Sequence, residues 1–124
     1  MYAWFWGEKG VMVRVGRGKR RYLLFHLTTE GGRPEAWRVE KAVYEAYKKL
    51  FGVKGLSEAE LAWISYEENS GFGILRCSHR AVARVRTALT LIDELDGRKA
   101  RICTVRVSGT GKTLKKTLSQ MKSS

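Results

Sequence analysis

The sequence predicts an α+β fold, a single antiparallel sheet with two helices on one face, from three observations. Two stretches carry apolar residues at helical spacing, four read as strands, and the six follow the order strand, helix, strand, strand, helix, strand. Right-handed crossovers close that order into a βαββαβ sandwich of ferredoxin-like form, the architecture of RNA-recognition motifs. With 124 residues and 44% hydrophobic content, the chain can enclose one core but not two.

The first strand runs from Tyr22 to Thr29, where Tyr22, Leu23, Leu24, Phe25, His26 and Leu27 are apolar enough for a central position. Gly31-Gly32-Arg33-Pro34 ends it, and Pro34 is well placed to open a helix. Over residues 35–51, Ala36, Val39, Val43, Ala46 and Leu50 share one stripe and Arg38, Lys41, Glu45 and Lys48 the opposite side, until Gly52 stops the helix. Residues 60–68 and 72–77 read as two strands joined by the turn Asn69-Ser70-Gly71. Ser78 can cap a second helix, 79–95, that buries Ala81, Val85, Ala88, Leu89 and Ile92. Asp96-Gly97 then turns the chain into a last strand, 98–108, in which Ala100, Ile102 and Thr104 alternate with Arg101, Cys103 and Val105.

These elements define a domain over residues 22–108. It is preceded by an extension and Gly-punctuated basic arm, 1–21, with too little apolar content in 13–21 to pack firmly, and followed by a basic tail, 109–124. Only Leu114, Leu118 and Met121 could anchor the tail, the first two at a spacing that would align them on a short helix. One face of the sheet is left available.

Charge is distributed unevenly. Residues 1–21 carry six Lys/Arg and one Glu, residues 22–96 carry ten against eleven acids, and residues 97–124 carry eight and no acid, for a net +12. A near-neutral body between two basic ends is the pattern of a folded module whose arms bind polyanions. Cys77 and Cys103 lie in apolar stretches without CxxC spacing or a neighbouring His, which predicts buried, reduced thiols. No apolar run reaches the length of a membrane span, and the aromatic start Tyr2 to Trp6 lacks the parts of a signal peptide, so a cytoplasmic setting is expected, or a nuclear one in a eukaryote.

Several motifs invite sharper chemistry. Ser108-Gly109-Thr110-Gly111-Lys112-Thr113 looks like a phosphate-binding loop, but the required first glycine is replaced by Arg106 within a predicted strand. Ser70 to Cys77 is similar to the base-stacking octamer of RNA-recognition motifs. Only Phe72 there could stack a base, with Tyr22 as a partner, so single-strand readout is the alternative function. His26 and His79 lack a third group to orient them as an acid/base pair. Asp93, Glu94 and Asp96 fit helix-end solvation or an intermolecular salt bridge better than a metal site, and Trp4, Trp6, Trp37 and Trp63 fit packing or contacts. No catalytic or metal site is expected.

Gly73-Ile74-Leu75-Arg76-Cys77, Ala88-Leu89-Thr90-Leu91-Ile92, Asp96-Gly97 and Val105-Arg106-Val107-Ser108-Gly109-Thr110, with the opening Lys19-Arg20-Arg21-Tyr22-Leu23-Leu24, closely resemble the ribonuclease P protein component 2 (Pop-five) family of archaea and eukaryotes, over roughly residues 12–118. Two departures stand out: Gly111 occupies a place where the family often has a bulky aliphatic, and residues 1–11 have no family counterpart, which makes Met12 the expected translation start. The resemblance implies a subunit of the ribonucleoprotein that removes 5′ leaders from precursor tRNA, with the RNA as catalyst. It further implies a partner, the TIM-barrel protein component 3, with which members can form a two-plus-two complex. Cofactors bound by the protein are not expected; Mg²⁺ belongs on the RNA, and precursor tRNA is met indirectly.

The mechanism expected is electrostatic. Lys and Arg displace counterions from packed phosphates and so support the catalytic RNA fold. The candidates are Arg14, Arg17, Lys19, Arg20 and Arg21 on the arm, Lys99 and Arg101 on the last strand, and Lys112, Lys115 and Lys116 in the tail. Arg76, Arg80 and Arg84 are further candidates that a solvated face would also explain.

Overall fold

The structure is a computed structural model that describes residues 2–6, 12–16, 19–32 and 34–122. Its elements are β1 (Tyr2–Trp6), β2 (Met12–Gly16), β3 (Arg20–Thr29), α1 (Ala36–Ala59), β4 (Ala62–Tyr66), β5 (Phe72–Ser78), α2 (Val82–Thr90), β6 (Glu94–Leu95), β7 (Arg98–Ser108) and α3 (Gly111–Lys122). Strands β4-β5-β3-β7-β6 form one antiparallel sheet, and its first four members stand in the ferredoxin-like order. The basic arm is more ordered than its composition predicts: β2 pairs with β1 from Tyr2↔Gly16 to Trp6↔Met12.

Strand β3 is the hub. It pairs with β5 from Arg20↔Ser78 to His26↔Phe72, and with β7 from Tyr22↔Ser108 to Thr29↔Ala100. Alternation sends Leu23, Phe25 and Leu27 into the helical layer, where they meet Val39, Val43 and Tyr47 of α1 and Val85, Ala88 and Leu89 of α2. The intervening Leu24 points to the other face. Beside it the ladder slips: Leu24 opposes Arg106 and Phe25 opposes Thr104, so Val105 forms a bulge in β7.

Several boundaries differ from the sequence reading, among them β4, which spans Ala62–Tyr66 rather than residues 60–68, and β3, which begins at Arg20 rather than Tyr22. Gly52 adopts φ 77°, ψ 175°, which breaks the helix of residues 35–51 as expected, but the chain then resumes helical geometry to Ala59. Leu50, just before this kink, is exposed while Tyr47 is fully buried, so the buried stripe is rotated from the one expected. Helix 79–95 divides into a 3₁₀ turn (His79–Ala81), α2, and the two-residue β6, which pairs with the start of β7 through Asp96-Gly97, both at positive φ. All five apolar residues expected on its inner side are buried nonetheless. The tail folds as α3, the helical alternative that the spacing of Leu114 and Leu118 allowed.

Cys77 is buried, and burial pushes its thiol up to about 11. Cys103, expected to be buried, is exposed, because its side of β7 faces away from the helical layer.

Gly73 explains how Phe25 fits. A Cβ at Gly73 would lie 2.2 Å from Phe25 Cζ, and the Phe25 ring is fixed by Trp63 at 5.7 Å and Tyr66 at 6.3 Å between centroids. Gly73→Ala should therefore destabilise the fold by about 1–3 kcal/mol or more, as overpacking does. Phe25→Leu in the same chain should recover part of that loss in denaturant unfolding.

The two thiols should also separate chemically. At pH 8 Ellman's reagent should modify Cys103 rapidly and Cys77 only after unfolding. Because the Cys77 thiol ionises near 9 when unfolded and near 11 when folded, its contribution to stability is complete below pH 9 and lost as pH rises from 9 to about 11.

Candidate nucleic-acid interface

The site is built on the sheet face opposite α1 and α2. Helix α3 begins where Thr110 Oγ1 accepts the Thr113 backbone N–H at 3.4 Å, which caps the first turn. Leu114 then lies fully buried against Leu24 and Ile74, with Tyr22, Phe72 and Leu118 around it. Arg106 Nη1 donates to Thr117 Oγ1 at 2.7 Å and ties α3 to β7. Gly111 lets the helix start lie flat on Tyr22: a Cβ there would come 3.3 Å from the ring, which accounts for a small residue at this place.

This docking corrects the expectation of an available sheet face. Tyr22 and Phe72, the residues that could have stacked bases, are half-buried in the cluster that seats α3. The loop that looked phosphate-binding is the short link from β7 to α3, where the Thr110 hydroxyl caps the helix and contacts Thr113 Oγ1 at 2.8 Å.

Helix α3 carries Lys112, Lys115 and Lys116 exposed on its outer side. Lys99 and Arg101 are exposed on β7, on the opposite side of the strand from the buried Ala100 and Ile102. Arg106 joins them although simple alternation would turn it inward with Ala100, Ile102 and Thr104. The Val105 bulge reverses the parity, and no feature of the sequence announces that bulge.

At the other end of β3, Lys19, Arg20, Arg21 and Arg76 surround one shallow depression of about 330 Å³, together with Tyr22 and Gly109. Arg21 Nη1 donates to the Arg20 carbonyl at 3.1 Å, and Arg20 Nε lies 3.7 Å from Glu60 Oε2. Arg80 lies in the turn before α2, and Arg84 on α2 sits 5.8 Å over the Phe51 ring, in the helical layer. Arg17 and the side chain of Arg14 lie outside the described residues.

The helical layer is mixed in charge, its acids standing among Arg38, Lys41, Lys48, Lys49 and Lys54 of α1 and Arg84 and Arg86 of α2. Glu40, Glu45 and Glu58 lie on α1, and Asp93, Glu94 and Asp96 follow α2. Asp96 forms an intramolecular pair with Arg38, Oδ2 to Nη1 at 2.9 Å. His26 Nε2 lies 3.0 Å from the Ser70 carbonyl and His79 Nδ1 3.0 Å from the Lys19 carbonyl. Those positions mark opposite ends of the β3–β5 ladder, roughly 20 Å apart at about 3.3 Å per residue, too far for one acid/base pair. Among the described residues, no helix is long and apolar enough to cross a membrane.

The model of the Rpp14/Pop5 family matches residues 21–119, from the start of β3 into α3. Ribonuclease P protein component 2 of Thermococcus gammatolerans is 42% identical over 101 residues, covering 81% of this chain and 82% of that protein. The proteins of the same name from Pyrococcus furiosus and Methanosarcina mazei are 35% and 31% identical, over 81% and 77% of this chain and 82% and 80% of their own. Among solved structures, a chain of the cryo-EM structure of yeast ribonuclease MRP shares the fold at a TM-score of 0.60 with 14% identity, covering 88% of this chain and 95% of that one. A family match from β3 into α3, with relatives of this identity over about four-fifths of both partners, shows that the chain belongs to the Rpp14/Pop5 family.

Proposed function

We infer that this chain is an RNA-binding protein subunit of ribonuclease P, the ribonucleoprotein that removes 5′ leaders from precursor tRNA, and that it supports an RNA catalyst electrostatically. The observation that carries the mechanism is the sidedness of charge: α3 and β7 hold Lys99, Arg101, Arg106, Lys112, Lys115 and Lys116 exposed on one side, and the chain from Gly97 onward contains no acid. Lys and Arg arrayed in this way release condensed counterions from RNA and reduce the repulsion between packed phosphates. The RNA then folds, and takes up its Mg²⁺, at lower metal concentration. Lys19, Arg20, Arg21 and Arg76 extend the binding surface at the near end of the sheet, with Arg80 in the turn that follows; Arg84 stands apart in the helical layer, and Arg14 and Arg17 are contacts proposed from the sequence alone.

The helical layer suits a protein partner better than RNA. Trp37, Leu50, Val53 and Leu91 are exposed there, and Ala42, Ala46, Leu50 and Leu91 line a groove bordered by Glu45, Lys49, Asp93 and Glu94. Carboxylates repel phosphate, whereas an apolar groove with a charged rim is ordinary protein-interface chemistry. Component 3 is the partner proposed for this face, in an assembly of up to two copies of each chain, in the cytoplasm or, in a eukaryote, the nucleus.

Reconstitution tests the reading. Added to ribonuclease P RNA and component 3, the chain should raise leader removal at limiting Mg²⁺, and alone it should cleave nothing. Its affinity for the RNA should fall with salt at a log–log slope of order −4 to −9, as for about six to ten neutralised phosphates. A slope near zero, or cleavage by the protein alone, would overturn the proposal.

The contribution of α3 can be isolated without undocking it. Replacing Lys112, Lys115 and Lys116 by Ala leaves Leu114 and Leu118 in place, so thermal stability should change little, while the salt slope should shrink by about 0.7–0.9 for each phosphate that the variant no longer neutralises.

A further inference from the structure

We propose that the depression formed by Lys19, Arg20, Arg21 and Arg76 is a seat for a single phosphate group of the RNA backbone, with Arg76 as the group that fixes its position. This rests on the RNA-binding reading above and adds a discrete, built subsite to an otherwise diffuse basic surface.

Arg76 is anchored on both sides, unlike the other cations of the depression. Its backbone lies inside the sheet, paired with Tyr22 of β3 on one side and Ala62 of β4 on the other, so the root of its side chain is held rigidly. Its Nε is buried and has no hydrogen-bond partner among the described residues, and Arg20 Nε beside it is likewise without a hydrogen bond. A buried donor on a charged group left unpaired costs about 1–3 kcal/mol or more. The buried Nε is itself closed to a ligand, but an anion held in the depression beside the guanidinium offsets part of that cost through its charge.

The lining matches that acceptor. Four cations meet and no carboxylate is among the lining residues; Glu60 engages Arg20 at 3.7 Å, a long and partly exposed contact. The volume of about 330 Å³ is at the low end for small-ligand sites, which suits one phosphate with its adjoining sugar rather than a groove for a duplex. Guanidinium groups offer paired N–H donors to two oxygens of a phosphate, a geometry that a lysine cannot reproduce. Gly109 forms one wall, where a Cβ would make only ordinary contact with Arg21 Nη1 at 3.6 Å, so a side chain can be introduced there without displacing the cations.

A stability argument separates this seat from a structural arginine. If Arg76 served the fold, removing it would destabilise the chain. A ligand-binding group buried without a partner predicts the reverse: Arg76→Met fills the space with an apolar chain of similar length, so thermal stability should hold or rise.

The experiment uses the full chain and compares Arg76→Met with Lys41→Met, which removes the same charge from the outer side of α1. We expect Arg76→Met to weaken binding of ribonuclease P RNA about tenfold or more and to reduce the salt slope by about 0.7–0.9, while Lys41→Met stays near the unaltered chain. Arg76→Lys should recover the slope but only part of the affinity. Gly109→Asp, which places a carboxylate in the seat without touching the core, should weaken RNA binding as Arg76→Met does, and serves if that variant fails to fold. Nitrogen-detected NMR of the arginine Nε–H groups, with inorganic phosphate as probe, should show the Arg76 signal move saturably.

RNA affinity of Arg76→Met and Gly109→Asp equal to that of Lys41→Met would overturn the seat, even with the phosphate-induced shift present, because the ligand would then be free phosphate. A steep salt slope in the unaltered chain would leave the RNA-binding reading standing in that case. A flat slope would remove both.

Discussion

Strand β3 takes hydrogen bonds along both edges and buries side chains on both faces. Leu23, Phe25 and Leu27 enter the helical core on one side, and Leu24 enters the smaller cluster under α3 on the other. Each such side chain contributes about 1.5–3 kcal/mol relative to exposure, so a slip of one residue, which would exchange the two sets, is strongly disfavoured. The register of β5 and β7 follows, and with it the near contact of Gly73 with Phe25 and the bulge at Val105. Helices α1 and α2 cover one face because the larger apolar set points there. Leu24, with Ile74 beside it, gives α3 its place on the other.

That two-sided burial is what allows one small chain to present a strongly basic face on one side and a face of mixed charge on the other. Taking about 10 Å for each packed layer, α1 and α3 stand roughly 20 Å apart across the sheet. At physiological ionic strength the Debye length is about 8 Å, so the carboxylates of α1 and of residues 93–96 scarcely weaken the field beyond α3. The contrast along the sequence, a neutral middle and basic ends, becomes a contrast through the thickness of the molecule.

Much of this was legible in the sequence because it depended on periodicity. The order of the main elements, the core residues of β3 and the inner side of α2 follow from apolar spacing alone, and the candidate cations at 19–21, 99, 101, 112, 115 and 116 followed from their density. What escaped depended on tertiary placement. Gly52 reads the same whether a helix ends there or only kinks. Two leucines four apart announce a helix face but not the surface it will meet, so α3 was a possibility without an address, and the stacking face inferred at Tyr22 and Phe72 was left open. The apolar neighbours of Cys103 suggest burial, although alternation along β7 puts it on the side away from the helices. Arg106 was hidden by a bulge, and the gathering of Arg76 with Lys19, Arg20 and Arg21, 55 or more positions away, exists only once β3 and β5 are paired.

Strand β6 is two residues long and pairs only with Arg98 and Lys99, and the Ala100 N–H bonds the Asp93 carbonyl at 2.9 Å, so within the described residues the outer edge of β7 from Arg101 to Ser108 carries no further strand. Unpaired backbone of this length is a template on which a second copy could add its own strand. Arg101 and Arg106 place positive charge along that margin, and two such margins brought together would repel. The cations that suit this side of the molecule to a polyanion therefore also oppose self-association through the sheet. Neutralising them would weaken that guard, so charge-removing variants on β7 carry a colloidal cost separate from any loss of RNA affinity.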